Sequence, residues 1–250
     1  MNEVKKFEEL VDQLHKLTDR GAIEKKFEEI AEHLMGKLCL NVNGNRYRVA
    51  ECEFYYDDGD KFRDPFLYAQ HECLERFGFD KQKNKLNLFF HYSGIDITIG
   101  DGDKKRGGIL IRSVELLFKI DGHKEIKFWC NPVFFADRII NSGNIDYSLN
   151  ATGLTMLSIS LDILDERENR DFKDKKLKSI KRVGLGAPKI SINDEKITDD
   201  YKERNYNFRL PELTRTDNNE YKKYIAERAT ILTDINNNNE SDLLCEHFIE

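Results

Sequence analysis

An Asn-Gly pair between two alternating runs of residues limits the fold of this chain more than any other sequence feature. Asn43-Gly44 favours the tight turn of a β-hairpin. The residues before it, 38–42, alternate between apolar and polar types, and so do most of the residues after it, 46–56. This period of two is that of a β-strand with one face buried. The sequence therefore predicts an antiparallel hairpin at this point, and with it a sheet.

A helical pattern precedes this hairpin. Apolar residues recur every three or four positions through residues 1–38, and Arg20-Gly21 interrupts the pattern. We expect two amphipathic helices that form a hairpin. Such a hairpin either packs on the sheet or serves as an arm that binds a partner, and the sequence leaves both open.

The remaining elements continue the alternation of strands and helices. Strands are predicted over 85–92, 95–99, 108–118 and 206–210, and helices over 66–77, 132–140 and 220–232. Residues 154–164 are apolar and fit either type. Together these elements predict an α+β fold: one domain with a curved, mainly antiparallel β-sheet and flanking helices. Its parts are the helical extension 1–38, the main domain 39–232 and a tail 233–250.

Composition bears on where the protein is located and on whether it binds a metal or cofactor. The chain has no apolar run long enough to span a membrane and no apolar signal core at its start, so we expect a cytoplasmic protein. The net charge is −6, and much of it lies in the Asn-rich, acidic tail, which is predicted to be disordered. The five cysteines and six histidines show no metal-ligand spacing. The sequence therefore predicts no metal and no cofactor, and it nominates no nucleophilic cysteine.

Two carboxylates in the second hairpin strand are the first candidates for chemistry. Strict alternation places them on one face of the strand with neighbouring apolar and aromatic residues; the predicted set is Tyr47, Val49, Glu51, Glu53 and Tyr55. A carboxylate that is partly removed from water becomes a better proton acceptor near neutral pH. The alternative is a strand whose glutamates face solvent.

Aromatic and basic residues supply further candidates. Residues 54–92 are crowded with aromatic side chains and include Tyr68, His71, Phe90 and His91. Such a cluster suits either a slot in which a flat base stacks or an ordinary core. Residues 170–182, which end at Arg182, are strongly basic. This stretch is either a patch that faces phosphate or a solvated helix face.

Three segments in a fixed order carry a resemblance to a known family. They are VAECEFYY (49–56), LNLFFHYSGIDITIG (86–100) and GGILIRSVELL (107–117). Together they resemble the alkyladenine (3-methyladenine) DNA glycosylase superfamily, and are most similar to an uncharacterised branch of it. KRVGLG (181–186) and NYNFRL (205–210) resemble its closing segment more weakly.

The resemblance implies a function and a set of site residues. The family flips a damaged purine out of DNA and hydrolyses its glycosidic bond without a metal. By position, Glu53 matches the carboxylate that activates water, Tyr55 and Phe90 match two aromatic walls, and Arg112 matches a basic residue near the phosphate backbone. The other base-binding or nucleic-acid-binding candidates are Glu51, Tyr68, His71, His91, Ser93 and Arg182.

Three features depart from the family pattern. The family's pocket His after the first motif has no clean counterpart, and Tyr68 and His71 are both near its position. Ser93 stands where the family has its intercalating Tyr, and Gly100 stands where it has a pocket Asn. The leading hypothesis is a base-excision N-glycosylase whose partner is DNA. The alternative is a non-catalytic relative that binds nucleic acid or nucleotides and has lost the intercalating residue. A third reading is a protein-interaction domain that docks through its N-terminal helices. The sequence predicts neither the substrate base nor the oligomeric state.

Overall fold

The structure is a computed structural model that describes residues 2–42, 45–68, 81–91, 94–117, 127–130, 159–164, 176–182, 185, 188–189, 195–211 and 213. The helices in these ranges are α1 (Glu3–Leu14), α2 (Arg20–Lys37) and α3 (Glu195–Glu203), and a 3₁₀ turn covers Lys81–Lys83. The strands are β1 (Leu38–Val42), β2 (Asn45–Asp57), β3 (Lys85–His91), β4 (Gly94–Ile99), β5 (Arg106–Leu116), β6 (Lys127–Cys130), β7 (Ile159–Ile163), β8 (Lys178–Ile180) and β9 (Asn207–Arg209).

The strands form one curved antiparallel sheet. Its main path runs β3-β4-β5-β2-β1-β7, with β6 paired to β5, β9 to β2 and β8 to β9. β2 is 13 residues long, and it pairs with β1, β5 and β9. The predicted single-domain α+β fold with a curved, mainly antiparallel sheet is confirmed, and so are the N-terminal helices.

The N-terminal helices begin where capping side chains allow. Asn2 accepts a hydrogen bond from the Val4 amide at 2.9 Å, and Asp19 accepts one from the Ala22 amide at 2.9 Å. Each bond satisfies one of the amides that a helix start leaves without a partner. Asp19 therefore marks the start of α2, and the interruption lies just before Arg20-Gly21 rather than at it.

One side of the sheet packs on these helices, and we call it the core face. It carries Cys52 and Phe54 of β2, both fully buried. The Phe54 ring stacks on Phe27 of α2 with 4.7 Å between ring centroids, and Cys52 Sγ lies 4.0 Å from Met35 Sδ. Burial of these large side chains supplies most of the driving force that joins helices and sheet.

A β-bulge changes the predicted alternation along β2. Val49 is opposite Val114, but Glu51 is opposite Ser113, so Ala50 has no opposite residue on β5. Such an extra residue reverses which side of the sheet the following side chains occupy. The prediction that Tyr47 and Val49 share a face with Glu51, Glu53 and Tyr55 is therefore wrong, since Tyr47 and Val49 belong to the core face. We call the side that carries Glu51, Glu53 and Tyr55 the polar face.

Other predictions meet the described residues only in part. The ambiguous stretch 154–164 contains β7, and the predicted late strand at 206–210 contains β9. The predicted helices at 132–140 and 220–232, most of the one at 66–77 and the tail 233–250 lie outside the described residues. In the ranges that the structure covers, no helix is both long and apolar enough to cross a membrane.

Candidate active site

A row of side chains crosses the polar face from β3 to β9. Phe89 is opposite Asp96, Asp96 is opposite Leu110, Leu110 is opposite Glu53, and Glu53 is opposite Asn207. Directly opposed residues on neighbouring strands project to the same side of a sheet. Glu53 is the fourth of the five side chains in this row, between Leu110 and Asn207.

Glu53 is fully buried and receives hydrogen bonds from three of the side chains that the structure describes. Its Oε2 accepts from the Tyr55 hydroxyl at 2.9 Å and, at 3.4 Å, from Nη1 of Arg112. Its Oε1 accepts from Nδ2 of Asn207 at 2.8 Å. A carboxylate removed from water needs such partners, because an unpaired buried charge is costly. The predicted enclosure of Glu53 beside a phenol ring is thus present.

Asn207 also binds the second carboxylate. The same Nδ2 lies 2.7 Å from Glu51 Oε1, and the Ser113 hydroxyl donates to Glu51 Oε2 at 3.2 Å. Asn207 is fully buried, and among the described residues no group donates to its Oδ1. One amide group therefore joins the two glutamates that the sequence had placed on a common face.

Tyr55 is a hydrogen-bond donor that keeps its proton. Burial, and then the negative charge of Glu53, hold the pKa of Tyr55 well above its ordinary value. The hydroxyl therefore stays neutral across the physiological range and can donate to Glu53 throughout. One side of the Tyr55 ring is covered by Arg182, whose guanidinium carbon lies 4.8 Å from the ring centroid.

Arg182 lies inside the protein, which differs from the solvent-facing position expected for a phosphate contact. Its side chain is fully buried and binds Asp64 at 2.5 and 3.3 Å. Burial acts to lower the pKa of the Arg182 guanidinium, but the charge and hydrogen bonds of Asp64 outweigh it and raise the pKa. The guanidinium also lies over the rings of Phe66 and Tyr206. The guanidinium therefore packs on the Tyr55 ring through a cation–π contact and helps to fix the position of that ring.

Phe90 occupies the core face, contrary to the expectation that it forms an aromatic wall beside Tyr55. It is opposite Ile95, whereas its neighbour Phe89 is opposite Asp96 and belongs to the row that contains Glu53. Since successive side chains of a strand alternate between faces, only one of the two phenylalanines can stand on the polar face. Phe90 accordingly packs against the hydrophobic core.

The polar face has an aromatic cluster around Phe89. The Phe89 ring lies 5.0 Å from the His91 ring and 6.1 Å from that of Tyr68, and Tyr68 lies 5.4 Å from His91. His91 Nε2 is 3.1 Å from Asp96 Oδ1, and both side chains are buried. The predicted residues Tyr68 and His91 are thus together, with His91 at the end of β3 and Tyr68 in the segment that follows β2.

Gly100 leaves no room for the side chain that the resembled family has at this position. A Cβ on Gly100 would stand 2.2 Å from the carbonyl oxygen of Lys83, in the 3₁₀ turn. The turn is held there by two backbone bonds, from the Gly100 amide to Asn84 and from the Gly102 amide to Lys83. The other two candidates, His71 and Ser93, lie outside the described residues.

A cavity of about 470 Å³ lies elsewhere, between α2, β8 and the α3–β9 connection. Tyr206 and Phe208 form part of its lining, and Glu24, Lys25 and Arg204 contribute charges of both signs. Glu53 is not among its lining residues. The surroundings of Glu53 form the candidate site rather than this cavity, because buried charged side chains and aromatic rings converge at Glu53. The described residues hold no group of three or more His, Cys, Asp or Glu side chains that could bind a metal.

Sequence reasoning missed Asn207 and Asp96. Asn207 lies 154 residues from Glu53 in the chain, and Asp96 is one of the polar residues that alternate with isoleucines in a short strand. Alternation places each of them on the polar side of its strand, which is typical of a solvent-facing side, so no local pattern marked either residue as buried. Their partners follow only from the strand pairing.

Comparisons with known proteins show one similar chain and no family. A protein of Acanthamoeba polyphaga mimivirus, described as uncharacterised, is 26% identical to this chain over 228 residues. The match covers 85% of this chain and 94% of the viral protein. No protein-family model matches the chain. No solved structure matches it. The similarity extends over most of both chains and carries no assignment of function.

Proposed function

We propose that this protein is a base-excision N-glycosylase that hydrolyses the glycosidic bond of a modified base in DNA. The single observation that carries the proposal is the environment of Glu53, a fully buried carboxylate that accepts hydrogen bonds from Tyr55, Asn207 and Arg112. Hydrolysis of a glycosidic bond needs a positioned carboxylate that can take a proton from water. The ordered motifs around Glu53 resemble those of a family with this activity.

The proposed reaction uses Glu53 as the general base. The oxygen of water bonds to C1′ of the sugar and its proton passes to the Glu53 carboxylate. The bond between C1′ and the base nitrogen breaks, and its electron pair leaves with the base, which takes up a proton from solvent. Tyr55 and Arg112 keep the carboxylate oriented toward the reacting carbon.

Arg112 marks the side from which the substrate reaches Glu53. Its side chain is 20% exposed, whereas that of Glu53 has no exposed surface. A cation at the edge of a buried site attracts phosphate, and the flipped nucleotide brings a phosphate with it. On the same face, Phe89 and Tyr68 would provide the aromatic wall that was expected from Phe90. Stacking of a base on such a ring contributes roughly 1–3 kcal/mol.

The test is release of a base from duplex DNA that carries one methylated or deaminated purine. The wild-type protein is expected to leave an abasic site, detected by strand cleavage in alkali. Glu53→Gln is expected to lower the rate by about 10²–10⁴-fold, because the amide cannot accept the proton. Glu115→Gln is the matched control, since Glu115 is a buried carboxylate paired with Arg48 outside the row. Equal rates for the wild type and Glu53→Gln would refute the proposal.

A non-catalytic binder is the second candidate, and Gly100 favours it. The backbone of the 3₁₀ turn occupies the space of a pocket side chain at this position, so the family's usual contact to a purine is missing. This candidate predicts affinity for DNA or nucleotides that weakens as salt is raised, without any abasic product. The assay above, run together with a binding titration at two salt concentrations, separates the candidates.

A further inference from the structure

Asn207 is the only described side chain that hydrogen-bonds both glutamates of the polar face. Its Nδ2 carries two hydrogens, and the distances to Glu51 Oε1 and Glu53 Oε1 are 2.7 and 2.8 Å. Both distances end on one nitrogen, so the two carboxylate oxygens are at most about 5.5 Å apart. Asn207 itself has no exposed surface.

Two carboxylates this close in a dry site repel each other. Carboxyl groups that share a site disfavour joint ionisation, so two buried carboxylates need donors that serve both of them. A proton held by Glu51 or shared with Glu53 would leave Glu53 a poorer acceptor. An amide that gives one hydrogen to each carboxylate stabilises the doubly ionised state instead.

The strand pairing holds the amide in this position. Asn207 is directly opposite Glu53 in the β2–β9 pair, and on its other side it is opposite Ile180 of β8. Strand pairing on both edges therefore fixes the backbone position from which the Asn207 side chain projects. The two carboxylates have further donors: the Ser113 hydroxyl for Glu51, and the Tyr55 hydroxyl and the Arg112 guanidinium for Glu53. Among the described contacts, each of these three groups serves only one of the two glutamates.

We propose that Asn207 is a positioning residue that keeps Glu51 and Glu53 ionised side by side, so that Glu53 is free to accept a proton from water. The catalytic part of this inference rests on the proposed glycosylase function. The electrostatic part does not, and it can be measured on the folded protein without substrate.

The first measurement is a titration of the glutamate carboxyl carbons by ¹³C NMR, with the two signals assigned by their absence in Glu51→Gln and Glu53→Gln. The variants form a series: the wild type offers two donor hydrogens, Asn207→Ser one, and Asn207→Leu none at a similar volume. We expect the titration midpoint of one of the two glutamate signals to be higher in the variants than in the wild type. The expected increase is about one pH unit or more for Asn207→Leu and smaller for Asn207→Ser. If Asn207→Leu does not fold, the comparison of Asn207→Ser with the wild type decides.

Asn41→Ala is the control, because Asn41 Nδ2 donates to Asp162 at 2.8 Å on another part of the same sheet. It removes an amide–carboxylate bond and is expected to leave both glutamate signals unchanged. Titration curves for Glu51 and Glu53 that are the same in the wild type and both Asn207 variants would overturn the inference and leave Asn207 a core amide.

The second measurement is the pH profile of base release. At a pH below the profile's plateau, kcat of Asn207→Leu is expected to fall about tenfold while KM changes little, because Asn207 acts through Glu53 and not on the substrate. A loss that is equal at every pH would overturn the inference. Absence of base release by the wild type would instead refute the glycosylase proposal, and the NMR titration would still decide the role of Asn207.

Discussion

The carboxylate of Asp96 lies directly against the backbone of Gly108. A Cβ on Gly108 would stand 2.6 Å from Asp96 Oδ2, closer than such atoms approach in proteins. Gly108 is opposite Tyr55 on β2. The Asp96 carboxylate therefore extends across the polar face toward Tyr55, whose hydroxyl donates to Glu53. The second glycine of the GGILIR motif thus makes space for a buried acid.

We expect Gly108→Ala to displace Asp96 and to destabilise the protein by about 1–3 kcal/mol, the usual cost of overpacking. Urea denaturation measures this change. Gly21→Ala in α2 is the control, because its Cβ would meet its nearest neighbour at an ordinary 3.4 Å. That change should be neutral or stabilising, since alanine favours helix over glycine. A Gly108→Ala protein as stable as the wild type would contradict the close approach of Asp96.

The buried pair of Arg182 and Asp64 should make a large contribution to stability. We expect Asp64→Asn to lower the free energy of unfolding by about 3–5 kcal/mol, because Arg182 would stay buried without its counter-charge. Denaturant titration is the measurement. Glu203→Gln is the control: Glu203 pairs with Lys181 at the surface, where such a pair contributes about 0–1 kcal/mol. Similar losses for the two variants would show that Arg182 is not enclosed.

Phe89 and Phe90 should respond differently to the same substitution. We expect Phe89→Leu to shift the ¹H NMR signals of the His91 ring, which lies 5.0 Å from the Phe89 ring. Phe90→Leu should leave these signals in place and should cost about 1 kcal/mol of stability through the core face. If the protein releases a base, Phe89→Leu should also slow that release more than Phe90→Leu does. The reverse pattern would mean that β3 pairs with β4 in another register.

The ion pair between Asp200 of α3 and Arg20 of α2 should make the free energy of unfolding fall as the pH becomes acidic. Burial acts to raise the pKa of Asp200, but the hydrogen bonds and charges of Arg204 and Arg20 outweigh it and lower the pKa. A carboxyl whose folded pKa is lowered stabilises the fold above its unfolded value, about 3.9, and loses this effect as pH falls through the folded value.

We therefore expect Asp200→Asn to be less stable than the wild type at pH 7 and equally stable well below pH 4. Thermal unfolding at both pH values measures the difference. Asp199→Asn is the control, since Asp199 is a neighbouring helix carboxylate whose side chain is 70% exposed. A stability gap that persists unchanged in acid would mean that Asp200 acts through packing rather than through charge.

Local sequence patterns were enough to predict the helical hairpin, the first β-hairpin and the placement of Glu51 and Glu53 on one face. These features depend on periodicity and turn chemistry within about a dozen residues. The same reasoning misassigned Val49, and the resemblance misassigned Phe90. A bulge at Ala50 and the pairing of Phe89 with Asp96 set the side of the sheet that each residue occupies, and both depend on a partner strand.

The amino-acid sequence by itself determined that this chain switches from helix to strand at Leu38 and that it carries two glutamates two positions apart. Only the tertiary structure decided what surrounds those glutamates. Asn207 binds Glu53 although the two residues are 154 positions apart in the chain. Arg182 is buried in an ion pair with Asp64 instead of facing solvent. The physical reason is that a buried charge takes its partners from whichever strands the fold brings beside it, and the separation of those partners along the chain imposes no local pattern.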